Sequence, residues 1–185
     1  PLMAVDRSAV EAFGIISAGF HLNGAVGDRM WIARRSWDKP MFPGELDNMV
    51  AGGWPRGIGF MDNVVKECAE EANIPVDLAR TARPVGVMTY VMEVNGGLRR
   101  HAMYLMDLEV PPDFQPEAVD GEVDSFELMS IKEVDRLVRE TCEFKYNSAV
   151  AVIDHLIRTG RITPEEPGYV DIVRGMHSPL NVMPS

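Results

Sequence analysis

Three glutamates, Glu67, Glu70 and Glu71, close the stretch "GGWPRGIGFMDNVVKECAEEANI", which opens on Gly52 and Gly53. Carboxylates three and four positions apart share one side of a helix and stand within reach of one another. Like charges so placed repel by about a few tenths of a kcal/mol. A divalent cation turns that repulsion into coordination, and Mg²⁺ takes a few carboxylates while leaving positions for phosphate oxygens. A solvated acidic helix face would carry the same three acids. The glycines directly ahead of them favour the sharper reading, because glycine lets backbone approach a ligand closely.

The elements that must hold these residues follow from pattern. At ~100° per residue, Met61, Val64, Val65, Cys68 and Ala72 form one apolar stripe, so Phe60 to Ala72 reads as an amphipathic helix. Gly59 suits its N-cap, Asp62 its positive end and Asn73 its left-handed exit. Upstream, "FGIISAGFHLNGAV" reads as a strand from Phe13 to about Val26, with a hairpin partner near Arg29 to Arg35. "LDNMVAGG" holds a short strand ending in the glycines. Downstream come a short helix over Val76 to Ala82 and two long strands, "PVGVMTYVMEVN" and "LRRHAMYLMDLEV", around the turn signal Gly96-Gly97. "DSFELMSI" is a further strand. "SIKEVDRLVRE" is a helix with Ser130 and Glu133 as a capping box, and "NSAVAVIDHLIRTG" a helix ended by Gly160. The tail holds one more turn at Tyr169 to Met176. Strands, helix, strands, helices in that order predict an α/β (α+β) layered domain around a mixed sheet.

The opening stretch resembles the Nudix box, Gly-x5-Glu-x7-Arg-Glu-U-x-Glu-Glu-x-Gly-U, with U a bulky apolar residue. Gly52, Glu67, Glu70, Glu71 and Ile74 match it, and Cys68 stands at the first U. Ile58 replaces the first Glu, Lys66 the Arg and Asn73 the Gly, which puts the support of the loop in question. Further stretches, "MWIARRSWDKPMFPGELDNMVAGG", "DGEVDSFELMSI" and "EFKYNSAVAVIDHLIRTGRITPE", look like the Nudix branch linked to thiamin pyrophosphokinase. That resemblance covers nearly all of the chain.

The resemblance implies an α/β/α sandwich over a single Nudix domain, 1–185, with extra C-terminal helices. It also implies a Mg²⁺- or Mn²⁺-dependent hydrolase that cleaves a diphosphate linkage. The branch implies thiamin diphosphate or its oxidised analogues as substrate. Rival readings are a nucleoside-diphosphate-sugar or nucleotide pyrophosphatase, and a ligand-binding module without catalysis. Metal ligands are expected at Glu67, Glu70 and Glu71. Glu70, Glu71 and Glu122 are expected to carry the reaction, with Asp120 and Asp124 as rivals of Glu122. Substrate contacts are expected from Gly52 and Gly53, which shape the loop, and from Arg34 and Arg35, which end a strand near the expected mouth. Trp37 and Trp54 lie in loops where either rim packing or stacking on a ligand ring would suit them. A homodimer fits the family habit.

Bulk properties set the remaining bounds. The chain of 185 residues, 46% hydrophobic and 25% charged, can bury a substantial core. Its net charge of −10 argues against a nucleic-acid binder. No apolar run approaches the roughly 20 residues of a membrane helix. Two cysteines, Cys68 and Cys142, are too few for a disulfide framework. A reducing cytoplasm is the default expectation, and the charge leaves room for a small phosphorylated ligand, because a bound cation reverses the local sign. The start at Pro1 lacks the charged-then-apolar layout of a signal peptide, and the missing initiator Met suggests a piece of a longer protein with an upstream N-terminal region, as in longer members of the branch it resembles.

Overall fold

Six consecutive residues, Gly19–Gly24, are buried. Side chains alternate between the faces of a strand, so an unbroken buried run requires a central strand covered on both sides. This is what a computed structural model of the protein shows, describing residues 3–94 and 96–181. The run lies in β1 (Ile16–Val26), at the middle of a seven-stranded mixed sheet with β2 (Arg29–Arg35), β3 (Leu46–Asn48), β4 (Val50–Gly53), β5 (Arg83–Val94), β6 (Gly97–Glu109) and β7 (Val123–Ser130). The main order is β3-β2-β1-β6-β5, with β4 added against β1 and β7 against β2. β1 and β6 run parallel, and the other pairs are antiparallel.

Five helices complete the described residues: α1 (Phe60–Ala72), α2 (Val76–Ala79), α3 (Ile131–Glu140), α4 (Tyr146–Arg158) and α5 (Tyr169–Gly175). On one face Phe20 and Leu22 of β1 pack with Val64, Cys68 and Ala72 of α1 and with Met106 and Leu108 of β6. Burying Val64 alone contributes about 2 kcal/mol. On the other side Met30 and Ile32 of β2 meet Val134 and Leu137 of α3 and Val152 and Leu156 of α4. Helices on both faces of one mixed sheet give the expected α/β/α layering.

The local signals hold where a cap or turn enforces them. α1 starts after Gly59 and ends at Asn73, which takes the left-handed conformation at φ 52°. The Ile74 N–H then closes back on the Cys68 carbonyl at 3.0 Å, so the chain turns sharply under the helix. Ser130 Oγ accepts the Glu133 N–H at 3.2 Å and starts α3.

Three boundaries differ from expectation. β1 begins at Ile16, not Phe13, because Gly14 at φ 57° ends a turn that the apolar composition of 13–15 conceals. "LDNMVAGG" is two strands, since β3 pairs with β2 while β4 pairs with β1. α2 stops at Ala79 rather than Ala82. The expected end of the first long strand, 95, lies outside the described residues.

Candidate active site

Glu71 is buried although it is a carboxylate. α1 carries it against β4, where its Oε2 accepts the Ala51 N–H at 3.1 Å. Burial pushes its carboxyl up to about 8, and the charges of Asp47, Glu67 and Glu122 act in the same direction against that one hydrogen bond. Glu67 lies one helical turn before it, and Glu70 is its immediate neighbour in sequence. Glu67 is packed so closely on Gly52 that a Cβ there would lie 2.7 Å from Glu67 Cγ. Glycine at 52 is thus required by a close approach.

These residues line one cavity of about 260 Å³ together with Arg7, Ala51, Gly52, Gly53, Lys66, Asp120 and Glu122. Its walls come from β4, α1, the loop before β7 and the N-terminal 3-10 turn Arg7–Ala9. Glu122 reaches it from the loop: its N–H donates to Asp120 Oδ1 at 2.8 Å, and its carboxylate pairs with Lys39 Nζ at 2.5 Å.

Lys66 occupies the gap between the other two acids. Its Nζ lies 3.2 Å from Glu67 Oε1 and 2.6 Å from Glu70 Oε2. The glutamates are therefore not gathered about a single point, and among the described residues no three acidic, histidine or cysteine side chains form a ready metal cage. The donor set nevertheless fits a hard divalent cation in kind: all donors are oxygens, and Glu71 is a buried carboxylate with no cationic partner, which a cation would relieve. Glu67 and Glu71 are the side chains placed to hold one. Glu70 is paired with Lys66, both about half exposed, and could join them only with that ammonium moved aside.

The loop from Trp54 to Gly59 is held by means that the spacing did not reveal. Trp54 Nε1–H donates to the Ile58 carbonyl at 2.9 Å. The Trp54 ring packs edge-on against Phe60 and Tyr104, with centroids 5.1 and 6.0 Å away. Asn63, fully buried in the first turn of α1, donates from Nδ2 to the Gly53 carbonyl at 2.9 Å. An aromatic cluster and one amide thus hold the position where the box has Glu and Arg.

Arg34 and Arg35 are not among the cavity's lining residues. Arg34 donates to the Gly44 carbonyl at 2.8 Å. Arg35 donates to the Met41 and Phe42 carbonyls and to Asp47 Oδ2, each at 2.9 Å. Both guanidiniums tie the 36–45 loop to the sheet. Asp47 is the buried hub of that side: Lys145 Nζ lies 3.1 Å away, Ser148 Oγ donates to it, and the His21 ring stands 3.9 Å off. Burial alone would raise its carboxyl, but Lys145, His21, Ser148 and Arg35 hold it well below the usual carboxylate range. Trp37 is two-thirds exposed and packs over Gly44, at the rim. Asp124 faces solvent and is not part of the cavity lining. Of the residues that now matter, Arg7 and Asn63 were missed. Neither lies at a spacing that marks it, and only the folded chain brings Arg7 to the glycines.

No family model matches the chain. It is 42% identical over 179 residues to a protein of Arabidopsis thaliana named Nudix hydrolase 24, chloroplastic, covering 95% of this chain and 49% of that one. It is 40% identical to Nudix hydrolase 20, chloroplastic, of the same organism, covering 95% of this chain and 48% of the relative. The chain thus spans about half the length of these curated relatives. Among solved structures, a Nudix hydrolase from M. smegmatis superposes with a TM-score of 0.54 at 11% identity, over 82% of this chain and 89% of that one. At that identity the superposition shows the fold. The relatives supply the further support for the Nudix hydrolase family.

Proposed function

Taking the chain as a member of the Nudix hydrolase family, we propose that it hydrolyses a small-molecule diphosphate with the help of a divalent cation, Mg²⁺ or Mn²⁺. The observation that carries this reading is Glu71, a buried carboxylate held by the Ala51 N–H in a cavity shared with Glu67, Glu70 and the Gly52-Gly53 backbone. When bound, the cation would neutralise charge on the phosphate oxygens. The chain's own part is to hold it through Glu67, Glu70 and Glu71 and to keep backbone close to the phosphates at Gly52 and Gly53. Water attacks phosphorus, the phosphoryl–oxygen bond to the leaving group breaks, and a carboxylate takes the proton. Glu70 and Glu122 are suited to that, being accessible from the cavity, while Glu71 is committed to the Ala51 N–H.

Thiamin diphosphate or an oxidised analogue, cleaved to the monophosphate, is the substrate we favour. Support comes from the resemblance of the sequence to the thiamin pyrophosphokinase-linked branch. The strongly acidic cavity lining also suits a substrate that carries a cationic thiazolium ring. The free cysteines suit a reducing compartment, for which we propose the cytoplasm. Two relatives are named chloroplastic, so imaging a fluorescent fusion of the full-length protein is the check. No helix among the described residues is long and apolar enough to cross a membrane.

The test is product release from a panel of thiamin, nucleoside and nucleotide-sugar diphosphates with Mg²⁺ or Mn²⁺, for wild type and Glu71→Gln. Turnover of the thiamin compounds that falls at least about 100-fold in the variant supports the reading. Equal turnover in both proteins would sink the assignment of Glu71. Turnover confined to the nucleotides would replace thiamin as substrate. Binding without turnover would favour the ligand-binding module.

A further inference from the structure

We propose that Arg7, delivered to the cavity from the N-terminal 3-10 turn, is a substrate-binding residue that holds a non-bridging oxygen of the diphosphate. This rests on the diphosphatase reading above and adds to it a residue far outside the glycine–glutamate motif.

The argument begins with the charge of the cavity. Five acids line it, Glu67, Glu70, Glu71, Asp120 and Glu122, against two cations, Lys66 and Arg7. Lys66 is committed to Glu67 and Glu70. Arg7 is not: among the described residues its guanidinium makes no hydrogen bond or ion pair, although carboxylates surround the same space. An uncommitted guanidinium in an acidic cavity is a fork of donors available to an incoming anion, and its planar geometry matches phosphate oxygens. A polyanion entering these carboxylates needs such a group in addition to a divalent cation.

Two features hold Arg7 in place. The first is Gly53. The guanidinium lies over its backbone on β4, so close that a Cβ there would stand in van der Waals contact with Arg7 Cζ and Nη1, at 3.4 Å. The second is the anchoring of the segment. Asp6 caps the 3-10 turn by accepting the Ser8 N–H at 2.9 Å. Four residues past Arg7, the Glu11 carbonyl accepts the Leu98 N–H at 2.8 Å and its carboxylate pairs with Arg99 at 2.5 Å. The Gly14 carbonyl accepts from Arg100 at 3.0 Å. The start of β6 thus fixes the segment from both its backbone and its side chains, and Arg7 projects from a fixed base.

The test compares wild type with Arg7→Ala and Arg7→Lys, using imidodiphosphate with Mg²⁺ as the calorimetric probe, KM for the best diphosphate of the panel, and Mn²⁺ affinity by electron paramagnetic resonance. Loss of a charged hydrogen-bonding pair predicts imidodiphosphate affinity weakened about 10- to 100-fold in Arg7→Ala, with KM raised in parallel. Arg7→Lys is expected to restore part of it. Mn²⁺ affinity without phosphate is expected to stay the same or tighten, since a cation has been removed from the cavity. Undiminished imidodiphosphate binding by Arg7→Ala overturns the role of Arg7 and leaves the diphosphatase reading standing. Weaker Mn²⁺ binding in that variant also overturns it, by showing that Arg7 arranges the acids. Wild type that neither binds imidodiphosphate nor hydrolyses any diphosphate overturns both.

Discussion

Replacing Glu71 by glutamine removes a pH dependence that the fold imposes. The wild-type carboxyl is pushed up to about 8 by burial, from an ordinary value of 4.5. Between those two values the folded chain holds a proton that the unfolded chain releases. The stability this contributes is fully present below about 4.5 and is lost as pH rises through about 8. One proton is worth about 1.4 kcal/mol per pH unit, so wild type loses about 2.5 kcal/mol from this group between about pH 5.5 and about pH 7.5. Glutamine keeps the oxygen that accepts the Ala51 N–H and has nothing to ionise. In EDTA the variant is therefore expected to exceed wild type by about 1.4 kcal/mol near pH 5.5 and by about 4 kcal/mol near pH 7.5, a gap that widens by about 2.5 kcal/mol. Urea unfolding followed by tryptophan fluorescence measures both. Taking the difference between the proteins matters because His21 and His101 act in the opposite direction. Burial depresses them to about 3 and about 4, so their contribution grows with pH up to their ordinary value near 6.5. A wild-type-minus-variant difference that stays flat over these two pH units would refute the reasoning that Glu71 is buried without a cationic partner.

Three further substitutions probe the same cavity. Lys66→Met removes the ammonium from between Glu67 and Glu70; these half-exposed pairs are worth about 0.3–1 kcal/mol, so Mn²⁺ affinity by electron paramagnetic resonance is expected to tighten about two- to fivefold, and unchanged or weaker binding would show that Lys66 does not compete for these acids. Asn63→Ala leaves the Gly53 carbonyl without its donor, which is expected to lower unfolding stability by about 1–3 kcal/mol and kcat by about tenfold or more, whereas unaltered values in both measurements would deny Asn63 its hold on the loop. Gly52→Ala drives a methyl into Glu67 Cγ, with an expected loss of Mn²⁺ affinity and activity while the circular dichroism spectrum is kept; full metal affinity would mean that the strand and helix separate without consequence.

The fold was legible wherever a residue's own chemistry fixes the backbone. α1 could be read to the residue, because an apolar stripe at helical period ends in an asparagine able to take a left-handed exit. The hairpin partner Arg29–Arg35 and the cap at Ser130 were legible for the same kind of reason. The start of β1 was not, because apolar composition does not distinguish the turn before Gly14 from a strand. The division of 46–53 into two strands was hidden as well, since it depends on which neighbours each half meets across the sheet. In the site, the glutamates could be grouped from sequence because α-helical spacing puts them together, and the glycines because they stand just ahead of that helix, in the stretch that leads into it. Arg34 and Arg35 look like anion ligands in sequence. The fold gives their donors to carbonyls of the 41–44 loop, which no charge pattern foretells.

By resemblance to the box, Ile58 and Lys66 stand in place of a glutamate and an arginine expected to support each other. A glutamate at 58 would have given a cation at 66 a partner in the loop. With isoleucine there, the loop is instead held by its own Trp54 indole on the Ile58 carbonyl and by Asn63 on Gly53. Lys66 pairs instead with its helical neighbours, Glu67 one residue on and Glu70 one turn on. The consequence lies in how the three negative charges are balanced. Lys66 offsets one of the two charges on Glu67 and Glu70, a proton held on Glu71 near neutral pH removes another, and one negative charge stays uncompensated. On the proposed function, a divalent cation binding to this set would have to displace an ammonium and a proton, so its affinity is expected to rise with pH toward about 8.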